Sequence, residues 1–196
     1  AFPSVSQVRS TVARALWRHP DVTYLTFSGN GEPTLHPFFP EIVAEVVCLR
    51  DELAQDVKVA LFSNATTAHR PEILAALAQI DAPILKLDAG DTETLACLNR
   101  PVVDVTLDDI IGGLKHVPNL IVQSVLIDGA VSNARGEAFD AWVAALVEIR
   151  PVQVQIYSTD YPLPDAGVER VLPYELDRIA VEVRERTGLQ VEAYYF

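Results

Sequence analysis

The sequence predicts an α/β protein built on a parallel sheet, and three observations carry that reading. Apolar side chains recur alternately at helical and at strand spacing along the whole chain. Successive strand-like segments lie roughly 30 to 40 residues apart, the length that a strand, a crossover helix and two loops require. Hydrophobic residues make up 49% and charged residues 21% of the 196, enough apolar material for one sizeable core and too much for a disordered chain.

The elements follow in order. Val5, Val8, Val12 and Leu16 give a first helix one apolar face, and residues 22–27 follow as a strand. Ile42, Val46, Leu49 and Leu53 return to helical spacing after Pro40, and residues 57–62 return to β character. Pro71 suits the first turn of a helix whose buried stripe is Ile73, Leu74, Leu77 and Ile80, and a strand is expected over 84–89. Thr106 and Asp109 form a capping-box pattern ahead of Ile110, Ile111 and Leu114, and the next strand is expected over 120–127. Phe139, Trp142, Val143, Leu146 and Ile149 form a helical stripe ended by Pro151, and residues 152–157 alternate as a strand. A last helix carries Leu176, Ile179 and Val183, stops at Gly188, and leads into a strand over 189–194. Six strands thus alternate with six helices. Open doubly wound sheets and partly closed barrels share this pattern, and both bind ligands at the carboxyl ends of the strands.

Fifteen Lys and Arg against 27 Asp and Glu leave a net charge of −12, which repels phosphate backbones and anionic lipid. The longest apolar runs are of strand length, so neither a membrane span nor a signal peptide is expected. Cys48 and Cys97 are far apart within patterned segments, which suits a reducing compartment, and a cytoplasmic location is expected. Ala1 opens the chain and Met is absent throughout, so a fragment of a longer protein is expected.

The strand ends hold the candidate chemistry. Residues 28–34, Ser-Gly-Asn-Gly-Glu-Pro-Thr, place glycines and a carboxylate where chain meets ligand; Glu32 suits an ammonium or sulfonium better than a pyrophosphate. The second strand ends in residues 63–67, Ser-Asn-Ala-Thr-Thr, a row of short side chains that can cap a helix or grip a ligand. Lys86 and Asp88 share one face of the third strand, as an internal ion pair or as part of a site. Gln123 and Ser124 interrupt an apolar strand, and Tyr157 opens a polar row that runs to Pro162.

In this order the motifs resemble the core of the radical S-adenosylmethionine superfamily, in its iron–sulfur oxidoreductase branch with wyosine-synthesis-like and activating-enzyme-like members. Besides residues 28–34 the resemblance rests on Phe62-Ser-Asn-Ala65, residues 86–91, Leu98-Asn-Arg-Pro101, residues 121–124 with Asp128-Gly129, and residues 149–158. It implies a partial (β/α)6 TIM-like barrel of parallel strands, a single core domain over 1–196 whose first strand and cluster loop are missing. It also implies that Gly29, Asn30, Gly31 and Glu32 hold the methionyl amine of S-adenosylmethionine. Ser63, Asn64, Asp88 and Lys86 would meet its carboxylate or ribose, Gln123 and Ser124 its ribose side, and Tyr157 its adenine. A [4Fe–4S] cluster, with three cysteine ligands expected upstream of this chain, would reduce the sulfonium and release a 5′-deoxyadenosyl radical that takes hydrogen from substrate. The implied partners are a small-molecule, RNA or protein substrate and an electron donor such as flavodoxin or ferredoxin. Two other readings fit the residues: a cluster-less module that binds an S-adenosyl compound or nucleotide, and a barrel lyase that uses Lys86 as a Schiff-base amine.

Overall fold

The computed structural model describes residues 2–29, 31–101, 104–159 and 167–195. Its elements are α1 (Val5–Arg18), β1 (Tyr24–Phe27), a 3-10 turn (Pro33–Leu35), α2 (Phe39–Leu53), β2 (Lys58–Ser63), α3 (Pro71–Leu77) and β3 (Ala82–Lys86). There follow α4 (Thr92–Leu98), α5 (Leu107–Leu114), β4 (Ile121–Val125), β5 (Ile127–Gly129), α6 (Gly136–Ile149), β6 (Gln153–Tyr157), β7 (Val168–Arg170), α7 (Pro173–Thr187) and β8 (Val191–Tyr194). Six strands form one sheet in the order β1-β2-β3-β4-β6-β8, with every neighbouring pair parallel. Among the described residues β1 and β8 are edges that do not pair with each other, so the sheet is open.

Local signals set the helix ends. Ser4 and Gln7 cap α1 reciprocally, and Thr106 does the same with Asp109 at α5. Pro71 occupies the first turn of α3. Gly188 ends α7 at φ 72°, the left-handed conformation that glycine adopts without steric cost.

Val59, Leu61, Leu85, Val122, Val154 and Ile156 point to one side of the sheet and join Ile42, Leu77, Leu114, Trp142, Leu146 and Ile179 in one core. At the alternate positions Phe62, Ile84, Lys86, Gln123, Gln155 and Tyr157 are exposed or half-buried, while the small Ala60 is buried. Strand register places Lys86, Gln123 and Gln155 in one row across β3, β4 and β6. This helix-free face is where polar residues interrupt the strands without entering the core.

Four expectations change. The strand expected over 120–127 breaks into β4 and β5, and β5 leaves the sheet to pair antiparallel with β7. The break has a cause: the buried Asn133 side chain accepts the Ile127 N–H at 2.8 Å and donates to the carbonyls of Asp88 and Val125 at 2.7 and 2.8 Å. The strand expected over 84–89 starts earlier and ends at Lys86, and α3 stops at Leu77 in tighter turns that close on Gln79 and Ile80. Finally, α4 and β7 have no counterpart among the expected elements.

Candidate functional site

β1 delivers the chain to Ser28 and Gly29 at the carboxyl edge of the sheet; Asn30 lies outside the described residues, as do Asp160–Pro162 of the polar row after β6. A Cβ built at Gly29 or Gly31 would meet no heavy atom within 4 Å. Packing within the described protein therefore does not call for glycine at either position, and the backbone there is open to a ligand.

Glu32 ties this turn to the end of β2. Its Oε1 accepts from the Thr34 N–H at 3.1 Å, the Thr34 hydroxyl at 2.6 Å and the Ser63 hydroxyl at 2.8 Å, while Oε2 accepts from the Asn64 N–H at 2.6 Å. The Ser63 oxygen also accepts the Ala65 N–H at 3.1 Å, and Asn64 Oδ1 caps Thr66. Ala65 is fully buried at φ 66°, a conformation that costs a residue with a Cβ about 1 kcal/mol and is held here by these flanking bonds.

Lys86 reaches the same edge from β3. Its Nζ lies 3.3 Å from Asp88 Oδ2, 3.3 Å from the Tyr157 hydroxyl and 5.7 Å from the centroid of that ring. Burial pulls the ammonium down, but the Asp88 charge, with Tyr157, outweighs it and holds the group above its ordinary value. A Schiff-base amine needs the opposite displacement, and the contacts to Asp88 and Tyr157 favour the charged form of Lys86. Asp88 is 2% exposed; its carboxylate also accepts from Asn99 Nδ2 at 2.7 Å and from the Val125 N–H at 2.8 Å.

Gly29, Gly31, Glu32, Ser63, Asn64, Lys86 and Gln123 come together around a cleft of about 320 Å³, with Ser28, Phe62 and Ile84 completing its wall. Tyr157 adjoins it through Lys86. Two expected ligand residues do not open into it. Asp88 lies beneath Lys86 with both oxygens engaged, and Ser124 is fully buried, donating to the Leu87 carbonyl at 2.5 Å and accepting from Trp142 Nε1 at 3.1 Å. Trp142 of α6 holds Ser124 on the core side, whereas Asp88 is held by Lys86, Asn99 and the Val125 N–H. Asn99, Asn133, Thr34 and Thr67 support the site without being among the expected ligand residues. Asn99 lies in the 98–101 motif, Asn133 is a polar residue of the loop after Asp128-Gly129, and the two threonines close the motifs at 28–34 and 63–67.

On the other side of the Gly29–Glu32 turn lies a larger, mainly apolar cavity of about 740 Å³, walled by α1, β1 and α2 through Val8, Val12, Leu25, Phe27, Ile42 and Val46. The cysteines belong to neither cavity. Cys48 on α2 and Cys97 on α4 are exposed, and the Cys48 thiol is pushed up by its hydrogen bond to Glu52 and by that residue's charge. Among the described residues no three His, Cys, Asp or Glu converge as metal ligands. These residues do not fit an iron–sulfur cluster. Among them, too, no helix is long and apolar enough to cross a membrane.

No protein-family model matches the chain. It is 27% identical over 158 residues to a GTPase Obg of Brachyspira hyodysenteriae, covering 79% of this chain and 22% of that protein. To a UPF0026 protein of Synechocystis sp. it is 24% identical over 164 residues, covering 83% of this chain and 59% of the relative. The chain thus spans less than two thirds of the length of either relative. Among solved structures it is similar to Streptococcus suis SuiB bound to S-adenosylmethionine, with TM-score 0.67 and 17% identity, over 95% of this chain and 42% of that one. It is similar to a domain of the pyruvate-formate lyase-activating enzyme from Bacteroides vulgatus, with TM-score 0.61 and 16% identity, over 87% and 98%. Coproporphyrinogen III oxidase (HemN) from Escherichia coli, a radical SAM enzyme, gives TM-score 0.60 and 14% identity over 94% and 45%. Likeness at such identities is likeness of fold, and the fold of this chain is the one found in the radical S-adenosylmethionine enzymes.

Proposed function

We propose that this chain is the S-adenosylmethionine-binding core of a radical S-adenosylmethionine enzyme, with the ligand in the 320 Å³ cleft at the carboxyl ends of β1 to β4. The observation that carries the reading is the pairing of charges in that cleft. Glu32 offers an anion beside open glycine backbone, and Lys86 offers a half-exposed cation, the complement of an amino-acid zwitterion. Glu32 Oε2, with a single N–H on it among the described residues, takes the ammonium, and backbone groups of Gly29 and Gly31 approach it. Lys86 takes the carboxylate. Gln123 lies toward the ribose and Tyr157 toward the adenine, while Asp88 and Ser124 hold Lys86 and the β4 end in place.

S-adenosylmethionine, given one electron by a donor outside the described residues, would supply a route to hydrogen abstraction. The protein residues described here bind it, orient it and exclude water around it, and no step is assigned to an iron–sulfur cluster that they do not fit. In this reading the cluster ligands lie outside the described residues. The edge of β1, unpaired among the described residues, and the apolar cavity beside it would accept one further strand.

Calorimetric titration of the chain with S-adenosylmethionine tests the reading. Saturable binding is expected, and Glu32→Gln should weaken it by about tenfold or more, since a charge-assisted hydrogen bond is lost. Absence of binding, or equal binding by the folded variant, contradicts it.

A further inference from the structure

Thr34 and Thr67 are 3% and 2% exposed, and neither lines the cleft. Their hydroxyl oxygens lie 2.5 Å apart, and the Thr34 oxygen lies 2.6 Å from Glu32 Oε1. Each hydroxyl owns one proton, and an ionised carboxylate can only accept. The Thr34 proton is therefore committed to Glu32, and Thr67 must donate to Thr34. The result is a one-way chain that starts in the core and ends on the carboxylate.

This chain makes the two carboxylate oxygens unequal. Oε1 carries three donors, from Thr34 N–H, Thr34 O–H and Ser63 O–H, and has no lone pair left for a ligand. Oε2 carries the Asn64 N–H alone among the described residues. Because Thr34 follows β1 and Thr67 follows β2, the hydroxyl pair also fixes the two turns against each other. We infer that Thr34 and Thr67 are positioning residues that anchor Glu32 through Oε1 and so present Oε2 to the amine of S-adenosylmethionine. The inference rests on the cleft reading above and deepens it.

The test uses the full chain, with thermal melts to confirm folding, and two ligands: S-adenosylmethionine, and 5′-methylthioadenosine, which keeps the nucleoside and sulfur but lacks the amino-acid tail. Thr34→Val keeps the shape and removes the hydroxyl. It should weaken S-adenosylmethionine by about tenfold and 5′-methylthioadenosine by less than about twofold, and Thr34→Ser should restore the first. Thr67→Val, one bond farther from the carboxylate, should weaken S-adenosylmethionine alone by about threefold, and it supplies the readout should Thr34→Val not fold. Equal losses for both ligands, or no loss for either, overturn the positioning role and leave the cleft assignment standing. A wild-type chain that does not bind S-adenosylmethionine overturns both.

Discussion

At the scale of single residues, charge is balanced locally where it is buried. Asp88 would be costly in the core by itself, but it shares its oxygens among Lys86, Asn99 and the Val125 amide. The sign of the linkage follows from Lys86. A base raised above its ordinary value of 10.5 holds its proton more tightly in the folded chain, so its contribution is full below that pH and is lost as pH rises through the elevated value. In urea melts the stability gap between wild type and Lys86→Met should therefore be flat near neutrality and shrink at alkaline pH. A gap that does not change with pH contradicts the ion pair as described. That Glu32, Gly29 and Gly31 gather at a strand's carboxyl end was legible in the sequence because a carboxylate just after two glycines follows the first strand directly, and all three line the cleft. Asp88 and Ser124 were legible only as polar residues in an apolar run; which way each faces depends on how the strand ends, and periodicity does not determine that.

At the scale of elements, the caps and most of the stripes read correctly because they are short-range, although Leu53 is exposed and Ile80 lies past the end of α3. The Thr106–Asp109 box, Pro71 and Gly188 each act within one helical turn, and all three end or begin helices in the structure. The β4–β5 break escaped because its cause is long-range: Asn133 reaches back across the chain to Asp88 and Val125. α4 escaped because only Leu95 and Thr94 of its seven residues are buried, too few to write a stripe. Asn133→Ala tests this account of the break. It orphans a buried N–H and two carbonyls, and denaturant unfolding should show a loss of about 3 kcal/mol. A loss within about 0.5 kcal/mol, the range of ordinary surface changes, would mean that the ribbon of β5 and β7 holds the break without it.

At the scale of the whole molecule, the parallel order β1-β2-β3-β4-β6-β8 puts every strand's carboxyl end on one edge. The sequence disclosed the alternation that demands such a sheet, and it left open whether the sheet closes, since closure depends on pairing between the first and last strands. The open sheet leaves one face without helices, and that face carries Lys86, Gln123 and Gln155 in a row beneath the Glu32 turn. A net charge of −12 adds a long-range field that favours a cationic sulfonium over an anionic nucleotide. The most direct test of the central claim is a titration of the isotopically labelled chain with S-adenosylmethionine, followed by amide chemical shifts. The account predicts that the Gly29, Gly31 and Asn64 amides and the Gln123 side-chain amide shift together along one saturation curve. Shifts confined to the apolar cavity between α1 and α2, or none at all, would contradict it.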